Sequence, residues 1–181
     1  MKKFAILSIF FFCAILIAGV YGILHDQITF TISPEYFTKF KYGQIGMDPS
    51  WFGGNRQTVA IIGFLATWWT GLIAGVVLGL TSLILPNHKT MASTLRRALA
   101  LMLTSSILCA LVGSIYGLFY TAIKSSDWWV PDLVADKKAF ILVASIHDFS
   151  YLGGLLGLIL GTVYIFRRKR SLNLQVVGPT S

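Results

Sequence analysis

Four long apolar runs constrain this chain more than any other feature of its sequence. They cover about residues 4–24, 59–85, 98–123 and 140–166. Each run is long enough to cross the ~30 Å hydrocarbon core of a bilayer, which takes about 20 apolar residues in a helix. Backbone polar groups in lipid must be satisfied within the segment, so runs of this length predict helices. The composition agrees, since 55% of the 181 residues are hydrophobic and only 12% are charged.

Charged side chains are distributed unevenly between the two ends of these runs. If the N-terminus is inside, the inner segments hold nine basic residues and no acidic residue. The outer segments hold six basic residues and all seven acids. This strong positive-inside pattern predicts a bacterial inner-membrane protein with both termini in the cytoplasm. Membrane topology and anionic inner-leaflet lipid account for the net charge of +8, so no nucleic-acid partner is indicated.

The runs predict a single transmembrane domain, an all-α four-helix bundle in the lipid bilayer. The first run follows Lys2 and Lys3 as a signal sequence would, but it is too long for one and lacks a clear cleavage site. We therefore expect this helix to be retained. Residues 26–57 are predicted to form the large outer loop, and residues 167–181 a polar cytoplasmic tail.

The outer loop carries two local patterns. Residues 28–32 alternate between apolar and polar side chains, which is typical of a short strand. Ser33, Pro34 and Glu35 then form a typical helix start, with an N-cap, a proline in the first turn and an acid near the positive dipole end. Gly43 is the expected stop. One face of this helix is aromatic, with Tyr36, Phe37 and Phe40. We expect a short amphipathic helix on the outer membrane surface.

Small residues recur four positions apart in every span. They are Ala14, Ala18 and Gly22, then Gly71, Gly75 and Gly79, then Gly113 and Gly117, and finally Gly153, Gly157 and Gly161. Such stripes, including the glycine-zipper type, let helix backbones approach closely in lipid. The pattern predicts tight packing within the chain, between copies in a homo-oligomer, or with other membrane proteins.

A His-Asp pair occurs twice, as His25-Asp26 beside the first run and as His147-Asp148 within the fourth. At helical spacing, both histidines continue the small-residue faces of their helices. Both also lie roughly 30–33 Å from the basic residues at the inner ends of their runs, at 1.5 Å rise per residue. We therefore expect the two imidazoles near one outer plane, facing neighbouring helices.

The leading hypothesis for these residues is structural. Histidine and aspartate at helix ends can be solvated at the headgroup level, or can form a structural ion pair with Arg56, the only outer arginine. The protein would then be a structural, assembly or interaction protein of unassigned activity.

A divalent metal site is the alternative, because imidazole and carboxylate suit zinc, iron or manganese. The candidate ligands are His25, His147, Asp26, Asp148 and Glu35. Such a site could also be catalytic, which leaves the enzyme question open. The spacing matches no recognised metal signature. Neighbouring residues on a helix point about 100° apart, so the histidine and the aspartate of one pair cannot both point directly toward the small-residue face of their helix.

Two further alternatives use the same histidines. Two facing helices could supply axial ligands to a haem, although bundles usually bury such ligands more deeply. A proton or ion pathway could use histidine and aspartate as relay groups, but no charged residue lies deeper in the runs. No phosphate-binding loop, nucleophile motif or other pattern identifies catalytic residues.

Three stretches of the chain resemble a family. They are residues 21–29 (YGILHDQIT), 33–41 (SPEYFTKFK) and 147–157 (HDFSYLGGLLG). They are similar to small four-span bacterial membrane proteins of uncharacterised function. The resemblance covers most of the chain and implies the four-span architecture. It carries over no catalytic residue.

Overall fold

The computed structural model describes residues 2–123 and 129–176. In chain order its elements are α1 (Lys2–Ile32), α2 (Pro34–Tyr36), a π-helical turn (Phe37–Lys41), α3 (Tyr42–Ile45), a 3₁₀ turn (Pro49–Phe52), α4 (Asn55–Ser82), α5 (His88–Ile123) and α6 (Lys137–Val176). These elements are all helical, and the described residues contain no strand.

Four of the helices, α1, α4, α5 and α6, are long and apolar enough to cross a membrane. This confirms the predicted all-α architecture of a multi-pass membrane protein. The helices extend beyond the apolar runs, since α5 begins at His88 and α6 continues to Val176. Lysine and arginine are good helix formers, so a helix need not end where the apolar run ends. The side of the membrane on which the termini lie stays a prediction.

The strand predicted at residues 28–32 is wrong, because α1 continues as a helix to the end of that segment. Thr29 and Phe30 are buried there, and the Thr29 hydroxyl donates a hydrogen bond to the His25 carbonyl oxygen at 3.1 Å. Packing of β-branched and aromatic residues against neighbouring helices has overridden their strand preference. As a result, His25 and Asp26 lie inside a continuous helix, not at its end.

The long helices pack as two antiparallel pairs, α1 with α4 and α5 with α6, and the two pairs touch each other less extensively. Helices α1 and α4 approach closely at Gly22 and Gly63, where a Cβ on either glycine would overlap the carbonyl group of the other. Gly157 of α6 lies similarly against the backbone of Met102 in α5. Such contacts are possible only because these positions carry no side chain.

Two apolar cores lie at opposite ends of the bundle, which we call the Lys3 end and the His25 end. The core at the Lys3 end is mainly aliphatic and contains Phe10, Ala74, Leu78, Leu85, Met91, Leu95, Ala98 and Ile165. The core at the His25 end is rich in aromatic rings and contains Phe30, Tyr36, Phe37, Tyr42, Val59, Ile62, Val134, Phe140 and Val143. The polar cluster described below borders this aromatic core.

Residues 33–52, the covering segment, fold over the His25 end between α1 and α4. Tyr36 and Phe37 are buried, and the Tyr36 ring lies 5.1 Å from the Phe140 ring of α6. The helical part ends at Gly46, in the left-handed conformation with φ 72°, and not at Gly43. Its main apolar contacts are therefore with the protein. The predicted location of this helix on the outer membrane surface stays a prediction.

Candidate functional site

Three side chains from α1 and α6 meet at the His25 end, and we call them the His/Asp cluster: His25, Asp26 and His147. Asp26 Oδ1 lies 3.0 Å from His25 Nδ1 and 3.1 Å from His147 Nε2. The two imidazole centroids are 4.6 Å apart, with their planes at 89°. One ligand atom from each residue lies within 4.8 Å of the other two. The structure thus brings together both candidate histidines and one candidate carboxylate.

The cluster is enclosed by protein. Asp26 is 3% exposed and His147 is 5% exposed, while His25 is partly buried. A buried carboxylate needs partners, because burial without hydrogen bonds or counter-charge is costly. Since Asp26 belongs to the α1–α4 pair and His147 to the α5–α6 pair, the cluster also joins the two halves of the bundle.

The hydrogen bonds of His147 restrict where its protons can be. Its Nδ1 lies 2.9 Å from the Val143 carbonyl oxygen, which can only accept, so Nδ1 carries the proton. A neutral imidazole protonated at Nδ1 has only a lone pair at Nε2. That lone pair faces Asp26 Oδ1, another acceptor when ionised. The contact therefore requires an additional positive species, either a proton or a metal ion, between Nε2 and Oδ1.

His25 is left with one unsatisfied nitrogen. Its Nδ1 faces Asp26, but its Nε2 is buried and lacks a hydrogen-bond partner among the described residues. Buried polar atoms without partners are uncommon in folded proteins and call for an explanation. One ring nitrogen of the His/Asp cluster, His25 Nε2, is therefore left without a bond from the described residues.

The covering segment shields His147. The Tyr36 ring lies 4.8 Å from the His147 ring, and the Phe37 ring lies 6.1 Å from it. Burial raises the pKa of Tyr36, so its phenol stays neutral. Aromatic rings in these positions exclude water and strengthen the electrostatic interactions of the cluster.

Glu35, a candidate ligand in the sequence, is engaged elsewhere. Its carboxylate accepts hydrogen bonds from the backbone amides of Ala135 at 3.1 Å and Asp136 at 2.8 Å, just before α6. These donors hold the pKa of Glu35 below its ordinary value of 4.5. In this position Glu35 fastens the covering segment to the start of α6.

Asp148 and Arg56 also lie apart from the three-residue group. Asp148 follows His147 in α6 but is exposed. The Arg56 guanidinium donates to the Gln27 carbonyl oxygen at 2.9 Å and to the Thr31 hydroxyl at 3.1 Å. It also lies 4.8 Å from the centre of the Phe30 ring. Arg56 therefore joins α4 to α1 through neutral acceptors and an aromatic ring.

A second polar group, which the sequence did not reveal, lies one helical turn from the His/Asp cluster. This hydroxyl cluster consists of Tyr21, Ser106 and Ser150. The hydroxyl oxygens of Tyr21 and Ser150 are 2.8 Å apart, and the Ser106 hydroxyl donates to the Ser150 carbonyl oxygen at 2.8 Å. The Tyr21 ring lies 5.8 Å from the His25 ring. The sequence signal for this cluster is the presence of polar serines, Ser106 and Ser150, inside the third and fourth apolar runs.

Comparison of the chain with protein-family models, with curated proteins and with solved structures finds no match.

Proposed function

We propose that this protein is a bacterial inner-membrane protein whose His/Asp cluster binds a divalent transition metal, with zinc, iron and manganese as the candidates. The contact between His147 Nε2 and Asp26 Oδ1 carries this proposal, since Nδ1 of the same ring already donates to Val143. A metal ion would bind both the Nε2 lone pair and the carboxylate, and no extra proton would be needed. The charge asymmetry of the chain supports an outer location for the cluster and cytoplasmic termini.

The distances within the cluster suit a metal. Bonds of about 2.0–2.2 Å from nitrogen and oxygen ligands place neighbouring ligand atoms about 2.8–3.6 Å apart, at angles between octahedral and tetrahedral. The two separations from Asp26 Oδ1, 3.0 Å to His25 and 3.1 Å to His147, fall in that range. The three ligand atoms all lie within 4.8 Å of one another, so the two imidazoles would have to move closer together for one ion to bind all three.

The surroundings of the cluster are also those of a metal site. A ligating histidine usually donates its second ring N–H to a carbonyl or carboxylate, as His147 does to Val143. Two histidines and one carboxylate leave coordination positions open, which is typical of catalytic and not of purely structural sites. When bound, the metal would supply a Lewis acid at the boundary of the spanning helices. The chain itself orients the ligands and excludes water.

The competing hypotheses make different demands on the cluster. A haem would need its plane between the imidazoles, where the Asp26 carboxylate contacts both rings. A shared proton would satisfy the contact between Asp26 and His147, and the cluster would then be a structural link between the helix pairs. The experiment must therefore separate a metal ion from a proton.

The test is elemental analysis of the detergent-purified full chain, followed by metal removal and titration with zinc, iron(II) or manganese. The variants are His147→Ala and, as a matched control, His88→Ala at the Lys3 end. We expect about one metal per chain in the wild type and in His88→Ala, and none in His147→Ala. Cobalt(II) substitution should give a visible spectrum of nitrogen and oxygen coordination.

Metal should also stabilise the folded chain. A ligand at 100 times its Kd adds about 2.7 kcal/mol to the free energy of unfolding, so the melting temperature should rise in wild type and not in His147→Ala. The proposal is overturned if the wild type holds no stoichiometric metal and gains no stability from any of the three ions. Equal metal content in wild type and His147→Ala would overturn the assigned ligands.

A further inference from the structure

A cavity of about 510 Å³ lies between the two helix pairs, on the side of the hydroxyl cluster that faces the Lys3 end. Its size falls within the roughly 300–1,000 Å³ of known small-molecule sites. All four long helices contribute to its wall, with Ala18, Thr70, Leu103 and Leu155 as examples. The fold therefore leaves a ligand-sized space where the two helix pairs separate.

The cavity is accessible from the side of the bundle. Trp69 and Leu155 line it and are themselves 45% and 56% exposed. Both residues lie in helices that can span a membrane, so the medium outside this opening is the lipid bilayer. Hydrocarbon chains are the molecules present there at high concentration.

The composition of the wall restricts the ligand further. The described residues that line the cavity include no charged side chain, and most are aliphatic or aromatic. Tyr21, Ser106 and Ser150 supply hydroxyl groups at one end of it. An apolar wall with a few convergent polar groups is the usual form of a site for a small amphipathic molecule. A charged headgroup would find no counter-charge in the wall.

We propose that this cavity binds the hydrocarbon chain of a membrane lipid and that the hydroxyl cluster hydrogen-bonds a neutral oxygen of that lipid, such as an alcohol or ester carbonyl. The hydrocarbon chain of the lipid extends toward the Lys3 end along Ala14 and Leu158, which line the cavity. The oxygen is then one helical turn from His25. This inference stands independently of metal binding, although a lipid held there would reach the proposed metal site.

The test uses a hexadecanol that carries a photoactivatable diazirine, with protein reconstituted in nanodiscs. Gly154 lines the cavity, and a Cβ at this position would meet no atom within 4 Å, so Gly154→Leu fills the space without displacing the backbone. Gly43 has equally open surroundings in α3, outside the cavity, and Gly43→Leu is the matched control. Labelling is measured by intact mass and located by peptide mapping.

We expect labelling of cavity residues that unlabelled hexadecanol displaces, retained in Gly43→Leu and at least about tenfold weaker in Gly154→Leu. Ser106→Ala should weaken the alcohol by about threefold to tenfold and leave hexadecane unaffected. The same labelling in metal-free His147→Ala protein separates this result from the metal proposal. Labelling spread over the outer helix faces, or unchanged in Gly154→Leu protein with an unaltered melting temperature, overturns the inference.

Discussion

The two His-Asp pairs have the same sequence and different surroundings. In α1 both members take part in the cluster, because Asp26 is buried between the helix pairs and His25 folds back onto it at 3.0 Å. In α6 only the histidine does so, since His147 is buried and Asp148 is exposed. The rotation of each helix about its axis, and not the dipeptide, decides which carboxylate joins the His/Asp cluster.

This difference shows how one acid can serve two histidines. Asp26 contacts His25 within α1 and His147 across the helix interface through the same oxygen. A second buried carboxylate in this space would add negative charge that the cluster could not neutralise without further cations. The exposed position of Asp148 avoids that cost.

Removal of the Asp26 carboxylate should have the largest effect on stability of any substitution in the two pairs. Asp26→Ala leaves one ring nitrogen of each histidine without its shared partner, and we expect a loss of about 3 kcal/mol in the free energy of unfolding, because an unsatisfied buried polar group costs about 1–3 kcal/mol. Asp148→Ala should change it by less than about 0.5 kcal/mol. Denaturation of metal-free protein in mixed micelles measures both. Equal effects of the two substitutions would contradict the structural difference between the pairs.

In metal-free protein, substitutions of the two histidines should differ less in their effect on the free energy of unfolding. A shared proton would then join His147 to Asp26, so His147→Ala removes that bond and the bond to Val143, whereas His25→Ala removes only the contact with Asp26. At about 1 kcal/mol for each bond, His147→Ala should cost about 2 kcal/mol and His25→Ala about 1 kcal/mol. The same denaturation assay ranks them, and the reverse order would contradict the view that His147 makes one stabilising bond more than His25.

Arg56 sharpens the comparison, since it holds the part of α1 that follows Asp26. Arg56→Gln removes the donors to Gln27 and Thr31 and the cation over Phe30. We expect a loss of about 1 kcal/mol, because this guanidinium is exposed. Lys39→Gln in the π-helical turn is the control for loss of a positive charge; it also removes an attraction between Lys39 and Glu35. If both variants lose the same stability, the loss of a positive charge accounts for the effect, and not the loss of the Arg56 contacts between α4 and α1.

Glu35 should give the smallest effect, and it should depend on pH. Amide donors lower its pKa in the folded chain below the ordinary value of 4.5. Its contribution to stability is therefore complete above that value and is lost as the pH falls through the lower folded pKa. Melting temperatures of wild type and Glu35→Gln should differ above the ordinary pKa of 4.5 and converge as the pH falls through the lower folded pKa. A constant difference over that range would contradict this role.

Much of the architecture could be predicted from the sequence. Apolar run length indicated the four helices, and small residues at helical spacing indicated the faces that pack closely at Gly22 and Gly157. Helical spacing also placed His25 and His147 on faces toward neighbouring helices. These features follow from local periodicity, which the chain carries residue by residue.

The details of the site could not be predicted in the same way. The choice of Asp26 over Asp148 depends on the rotation of each helix about its axis, which only the packing of the four helices determines. The position of Glu35 depends on the covering segment reaching Ala135 and Asp136, a hundred residues away. The cavity is a space between helix pairs, and no single helix encodes it.

Hydrogen bonds tie both ends of α1 to α4 or to the residues that follow it, and this affects how the two helices can adjust to the bilayer. At one end Lys3 donates to the carbonyl oxygens of Leu83 and Leu85 that follow α4, and at the other end Arg56 of α4 holds Gln27. Helix α1 is thus fixed to α4 at both ends and cannot slide along it without breaking these bonds. In a thinner bilayer the two helices should tilt together as one body, because tilting is the remaining way to shorten their apolar span.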